Sequence, residues 1–467
     1  MKRKLQEELK QFADKVRSVR TAGEFFELIP SSTIVGISFW LLSALAVSPL
    51  YVLVRSIFLR YHDSFYVNDN QRTLGVYWVQ LIRIIGFSGL LLALLVLVKF
   101  MIEHRGQRWL AKTARKHPVP LFLFLMLVWS ILSCAFSSDR VLSLHGTAYR
   151  NEGLLTYFAY AGIFCCGYFI CDKNSRIVIT KTFVLAATTL SMLMLINSPA
   201  LNLLLSMEYG AAFFQNINHY GYYLCLAASL AAALAIREAR LSKVALFWLV
   251  TYAVLIAALI RNRSFGPYVA VVLGLIFLLI FSLSHVQKAR LVVVAVILVF
   301  ASLSFGMNLK SNYLNRETTA LTEDITNIIE NNEKAPRAGS GRWILWTLAA
   351  DYTLEKPVFG YGPENLQDRY RQDNLLHDRP HNEILQLSAS LGIPAALFYC
   401  CALFFFFLPF LKYLKKLNPE IIGPYAAVFT YLASSMVGLS MYCSTSFFFA
   451  FLALACNLFR PSGAEPE

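Results

Sequence analysis

Residues 81–102 read LIRIIGFSGLLLALLVLVKFMI, and the fifteen positions between Arg83 and Lys99 carry no charge. A helix of about 20 apolar residues crosses the hydrocarbon core of a bilayer and satisfies its own backbone hydrogen bonds there. Working outward, similar runs recur at 34–58, 119–136, 153–171, 177–196, 219–236, 244–260, 266–284, 290–307, 384–411, 421–438 and 445–459. The pattern predicts an all-α, polytopic integral membrane protein of about twelve transmembrane helices. Composition agrees, since 57% of the 467 residues are hydrophobic and only 15% charged, where a soluble domain carries about a quarter. An ordinary soluble enzyme is excluded.

The 42 Lys and Arg against 28 Asp and Glu give a net charge of +14. In a soluble chain that excess would suggest nucleic acid as a partner, but here the basic residues gather between apolar runs. With the N-terminus in the cytoplasm, Arg105, Arg108, Lys112, Arg115 and Lys116, then Arg237, Arg240 and Lys243, then Lys412, Lys415 and Lys416 all fall inside. This satisfies the positive-inside rule. The organisation expected is a cytoplasmic amphipathic segment 1–33, helices one to nine over 34–307, a large extracytoplasmic loop 308–383, helices ten to twelve over 384–459, and a cytoplasmic tail 460–467. Leu5, Leu9, Phe12, Val16 and Val19 predict an amphipathic helix over 4–20 on the inner leaflet, with a solvated helix as the alternative. Glu7, Glu8 and Asp14 among its basic residues argue against a cleaved signal peptide. Nine cysteines lie in or at the ends of the apolar runs without metal-ligand spacing, so neither disulfides nor zinc are expected.

Arginines on the predicted outer side run against the charge rule: Arg150, Arg261 and Arg263. A charge in so short an outer connection as Arg261-Asn262-Arg263 tends to have a partner or a function, though snorkelling into headgroups is the plainer reading for Arg261. Within the long loop, helical character over 318–331 is followed by a Pro/Gly/Ser break, and Ser340 is expected to cap a helix from Arg342 to Glu355 before Pro357 stops it. Arg342 would then stand at a helix N-terminus, where the dipole and free N–H groups favour an anion; an interfacial anchor is the competing reading.

His381 follows Pro380 at the membrane boundary, where a neutral imidazole could accept a hydroxyl proton, or serve only structure. His377 lies four residues before it, a metal-binding spacing on a helix, but the intervening Pro380 argues against a continuous helix. Two further segments, Gly146 to Gly153 and Phe214 to Gly221, precede apolar runs on the outer side. Arg150, Asn216 and Asn218 within them, with Asn382, are candidates for hydrogen bonding a glycan, whereas turn and cap formation would need the same residue types.

As an ordered set, these motifs resemble the O-antigen ligase and polymerase superfamily of bacterial membrane glycosyltransferases, over roughly residues 145 to 400. The set is Phe-x-Asn-x-Asn at 214–218, the Arg263 turn, Arg342 with tryptophans following, Pro-x-x-Gly-x-Gly at 357–362, and His381-Asn382 with ten residues between that histidine and Gly392. The resemblance implies a GT-C-like fold with a catalytic outer loop in the bacterial plasma membrane. It implies a glycan on undecaprenyl pyrophosphate as donor, an acceptor hydroxyl, inversion, and no metal or cofactor. It gives His381 the role of base, and Arg263 and Arg342 that of pyrophosphate ligands. The turn reads Arg-Asn-Arg-Ser where Ser-Arg is commoner, which leaves Arg261 as an alternative ligand to Arg263.

The Arg150-Asn151-Glu152-Gly153 segment is more like members from Gram-positive bacteria, leaving the acceptor open. Ligation of a whole glycan and polymerisation of lipid-linked repeats both fit, with the histidine-to-glycine spacing closer to the ligases. A transporter or flippase of lipid-linked glycans is the rival from another class. It would need charges along a path at depth, and the middles of these runs hold almost none; no internal repeat is evident either.

Overall fold

The computed structural model describes residues 15–62, 67–104, 118–200, 207, 210–214, 216–238, 240–285, 290–413 and 422–456. The amphipathic helix expected over 4–20 and the tail 460–467 lie wholly or largely outside these residues.

Helices α1 (Ala22–Glu27), α2 (Ser31–His62), α3 (Val67–His104), α4 (Pro118–Ala135), α5 (Arg140–His145), α6 (Leu154–Phe169), α7 (Lys173–Ile196), α8 (Ile217–Arg237), α9 (Lys243–Asn262), α10 (Phe265–His285) and α11 (Arg290–Ser311) lead to the polar loop. That loop folds as α12 (Tyr313–Ile329), α13 (Ala338–Glu355) and α14 (Leu366–Gln372), and the chain returns to apolar helices through α15 (Glu383–Leu391), α16 (Ile393–Tyr413), α17 (Ile422–Ser435) and α18 (Tyr442–Cys456). Among the described residues, nine helices are long and apolar enough to cross a membrane, and α6 and α18 are shorter apolar helices. The protein is a multi-pass membrane protein, helical throughout its regular elements among the described residues. The single run expected over 384–411 is instead two helices, because Gly392 takes φ +89° and ends α15. The run expected over 421–438 becomes the fourteen-residue α17.

Helix α8 is the hub, with its apolar stretch fully buried. It is built from Ala227, Ala228, Ala231, Ala232, Ala233 and Ala235, and such small side chains let neighbouring helices approach closely. Helices α7, α9, α10, α17 and α18 pack around it. At the other extreme α11, only 22% buried over its apolar stretch, turns most of its surface outward.

One strap fixes the start of the return. Residues 357–362 lie along the end of α15, where Tyr361 and Gly362 donate their N–H groups to the carbonyls of Ala389 and Ser390, and Ile393 donates to the carbonyl of Pro357. These bonds satisfy helix-end carbonyls that would otherwise lack partners. A Cβ on Gly360 would lie 2.5 Å from the Ser390 backbone, and one on Gly392 2.0 Å from the Val358 carbonyl, so only glycine admits this contact. Trp129 of α4 seals the strap by donating to the Val358 carbonyl at 2.9 Å and stacking on Phe359.

Candidate active site

Arg83, within α3, explains why a charge stands in a membrane run: its guanidinium donates to the carbonyls of His145 and Asn151 and to Thr156 Oγ1. It thereby holds the 146–153 loop that presents Arg150. Arg150 is 8% exposed and forks onto Asp378, with Nε to Oδ2 at 2.6 Å and Nη2 to Oδ1 at 3.0 Å. Its Nη1 lies 3.2 Å from Nε2 of His219. A guanidinium only donates, so Nε2 accepts and the His219 proton is on Nδ1. Nδ1 is buried and has no hydrogen-bond partner among the described residues.

His381 follows in the loop, held at φ +57°, a left-handed conformation that a side chain rarely adopts. Such strain persists where the surroundings impose it. Immediately after it, Asn382 caps α15 by accepting from Leu385 N, and its Nδ2 donates to the Met436 carbonyl. Burial, then the charges of Arg342 and Arg150, push the His381 imidazole down to about 4 against the opposing pull of Asp378. It is therefore neutral near physiological pH. For Asp378, burial works against the charge, yet the Arg150 fork and the Arg379 charge hold the carboxyl down to about 2. The His377 and His381 ring centroids are 6.4 Å apart, and among the described residues no three His, Cys, Asp or Glu side chains converge to hold a metal ion.

Arg342 enters α13 after three residues in left-handed geometry, Gly339, Ser340 and Gly341. The cap expected from Ser340 is thus a tight turn rather than an extended capping residue. Asp324 of α12 ties this turn down by accepting from Gly339 N at 2.8 Å. Arg342 Nη1 donates to the Gly339 carbonyl, while its Nε, and Nε1 of Trp346 one turn on, are buried without partners among the described residues.

The remaining sequence candidates lie at the start of α8 and the end of α9. Arg263 ends α9 in left-handed geometry, is exposed, and accepts at its carbonyl from the Tyr313 hydroxyl at 2.9 Å. Arg261 lies half-buried in the last turn of α9. Asn216 caps α8 by accepting from Asn218 N, and Asn218 Oδ1 accepts from the Ser264 hydroxyl. Between them Asn262, buried, donates to the carbonyls of Gly210 and Ile217. The 214–218 motif and the Arg263 turn are thus one knitted unit, and Asn216, Asn218 and Asn382 all spend hydrogen bonds on backbone or neighbouring hydroxyls. The structure brings Arg150, Arg342 and His381 into mutual electrostatic reach.

Sequence reasoning missed Asp378, Arg379 and His219 as partners. Arg379 is 3% exposed and pairs with the buried Glu364, while its Nη1 donates to the Ser440 carbonyl at 2.9 Å. Thr147 reinforces Glu364 through its N–H and hydroxyl. Contacts of this kind join positions 15 to 228 residues apart and leave no local signal.

No curated protein matches the chain. Residues 250–400 match the family model described as O-Antigen ligase, a stretch that includes Arg261, Arg263, Arg342, His381 and Gly392. That match bears out the resemblance over this stretch, about a third of the chain, which holds the strap and the candidate base.

Proposed function

We propose that the protein is an O-antigen-ligase-type glycosyltransferase that moves a glycan from undecaprenyl pyrophosphate to an acceptor hydroxyl at the outer face of a bacterial plasma membrane. The observation that carries this reading is a His381 whose imidazole is pushed towards the neutral form beside Arg342, both half-buried, with the Arg342 Nε lacking a partner among the described residues. His381 takes the proton of the acceptor hydroxyl as that oxygen attacks the anomeric carbon. The bond from the anomeric carbon to the diphosphate oxygen breaks, its electron pair leaves with the diphosphate, and configuration inverts. Arg342 neutralises the leaving charge, and Arg263 and Arg261 extend the clamp as the family resemblance implies.

The electrostatics couple the two substrates. Burial, then Arg342 and Arg150, suppress protonation of His381. A bound diphosphate offsets those charges, so the imidazole becomes a stronger base only once the donor is in place. Transfer then needs no cofactor in this reading.

His381→Ala should stop transfer, with general-base loss worth about 10²–10⁴ in rate, while donor binding persists. Producing cells should then accumulate full-length glycan still on its carrier. Accumulation of single short repeats would instead mean a polymerase. Unchanged transfer would refute the role of His381.

A further inference from the structure

A cavity of about 400 Å³ opens at Glu383, the first residue of α15, and Arg342 does not line it. Its walls are apolar, drawn from α3, α4 and α6 and from Phe449 of α18. Leu94 of α3 and Phe124 of α4 line it and are also 55% and 60% exposed on the lipid-facing surface, so the cavity is continuous with the bilayer.

Its polar end is acidic. Glu152 and Glu383 both line it, 1% and 5% exposed. Tyr160 donates to one oxygen of Glu152, and Tyr399 donates to one oxygen of Glu383 at 3.2 Å. The Oε2 atom of Glu152 is buried without a partner among the described residues, and that of Glu383 is buried without a well-formed hydrogen bond, with the Ser435 hydroxyl beside its carboxyl. Once ionised, above about pH 7, these carboxyls present unfilled acceptors at the head of an apolar chamber, which is costly unless something supplies hydrogens to them. A diphosphate cannot, since it brings negative charge to two carboxyls. Hydroxyl groups can.

Resting on the glycosyltransferase reading above, we propose that this cavity binds the chain of an uncharged lipid whose head-group hydroxyls donate to Glu152 and Glu383, and that this lipid carries the acceptor. Glu383, which lines the cavity, stands two residues after His381 in the chain, so the two proposed sites share one loop. The donor and the second lipid are thus sorted by charge: the diphosphate goes to the arginines, and the neutral lipid to the carboxyls.

The test uses the full-length protein in nanodiscs at pH 8, above the value of about 7 to which burial raises both carboxyls. Two photoreactive probes with identical diazirine chains are compared, a diacylglycerol and a phosphatidic acid. Diacylglycerol should label peptides of α3, α4 and α6 at the cavity at least about tenfold more than phosphatidic acid, a modest outcome for like charges near contact. Joint replacement Glu152→Gln and Glu383→Gln keeps hydrogen-bonding capacity but should level the two probes. Ala161→Trp, which fills the chamber from α6, should abolish labelling by both. Equal labelling of the unaltered protein by the two probes, or labelling indifferent to Ala161→Trp, overturns the proposal. His381→Ala should label normally while losing transfer. Failure of labelling with an inactive His381→Ala removes this lipid site alone, whereas normal transfer by His381→Ala removes the catalytic reading and with it the acceptor role.

Discussion

Residues 378–383 have two flanks of opposite character. On one, Arg150, Arg342 and His219 surround His381 and Asp378, and unfilled N–H groups await an anion. On the other, Glu152 and Glu383 close an apolar chamber, and unfilled carboxyl oxygens await hydrogens. Between them the buried Arg379–Glu364 pair presents a positive charge and a negative one, neutral in sum. On the reading proposed above, the difference teaches how a chain with little polar surface could sort two unlike substrates by charge, with one buried ion pair dividing the basic flank from the acidic one.

Breaking the partition should have the largest effect. Arg379→Ala leaves Glu364 charged and buried next to Glu152, a loss of about 3–5 kcal/mol expected for removing one partner of a buried pair. A thermal melt of the detergent-solubilised variant reads it, and a midpoint close to that of the unaltered protein would show that the pair does not hold the two flanks.

The basic flank can be tested by titration. A histidine held at about 4 in the folded protein against an ordinary 6.5 refuses a proton that the unfolded chain accepts between those values. The folded state therefore loses stability as pH falls through that window, and recovers it as pH rises to 6.5. The same value places the acidic limb of kcat/KM for His381 near 4 in the free protein. Arg342→Gln removes the largest charge acting on the imidazole, so the limb should move towards higher pH, while kcat falls for want of leaving-group neutralisation. A limb that stays in place would separate Arg342 from His381.

The smallest effect sharpens the contrast between charge and hydroxyl in the seam. Thr147→Val removes a hydroxyl that bonds Glu364 and leaves the Arg379 pair intact, with about 1 kcal/mol expected from a single hydrogen bond. A loss as large as that of Arg379→Ala would mean that Thr147, rather than the ion pair, fastens the loop.

Much of this architecture is legible along the chain because membrane helices announce themselves by length and apolarity. The exceptions have physical causes. Gly392 interrupts an apolar run without altering its hydropathy, so the break between α15 and α16 is invisible to composition. Arg342 and His381 stand out locally, one after a glycine turn and one after a proline. Arg150 stands out too, but its meaning depends on Asp378, 228 residues away, and on His219, 69 residues away. Asn216 and Asn218 have the residue types of a sugar site, yet the same amide groups cap α8 and hold Ser264. Glu152 and Glu383 look like turn and cap residues in sequence, and only packing places both at one chamber.

The strap gives the ten-residue interval between His381 and Gly392 a mechanical meaning. Helix α15 is gripped at both ends, by the Asn382 cap at its start and by the Pro357–Gly362 run at its finish. It works as a ruler: its length sets the depth of His381 and its pitch sets the azimuth. Adding one residue within it would advance the imidazole by about 1.5 Å and turn it by about 100°, away from the arginines. The interval should thus tolerate changes of side chain far better than any change of count.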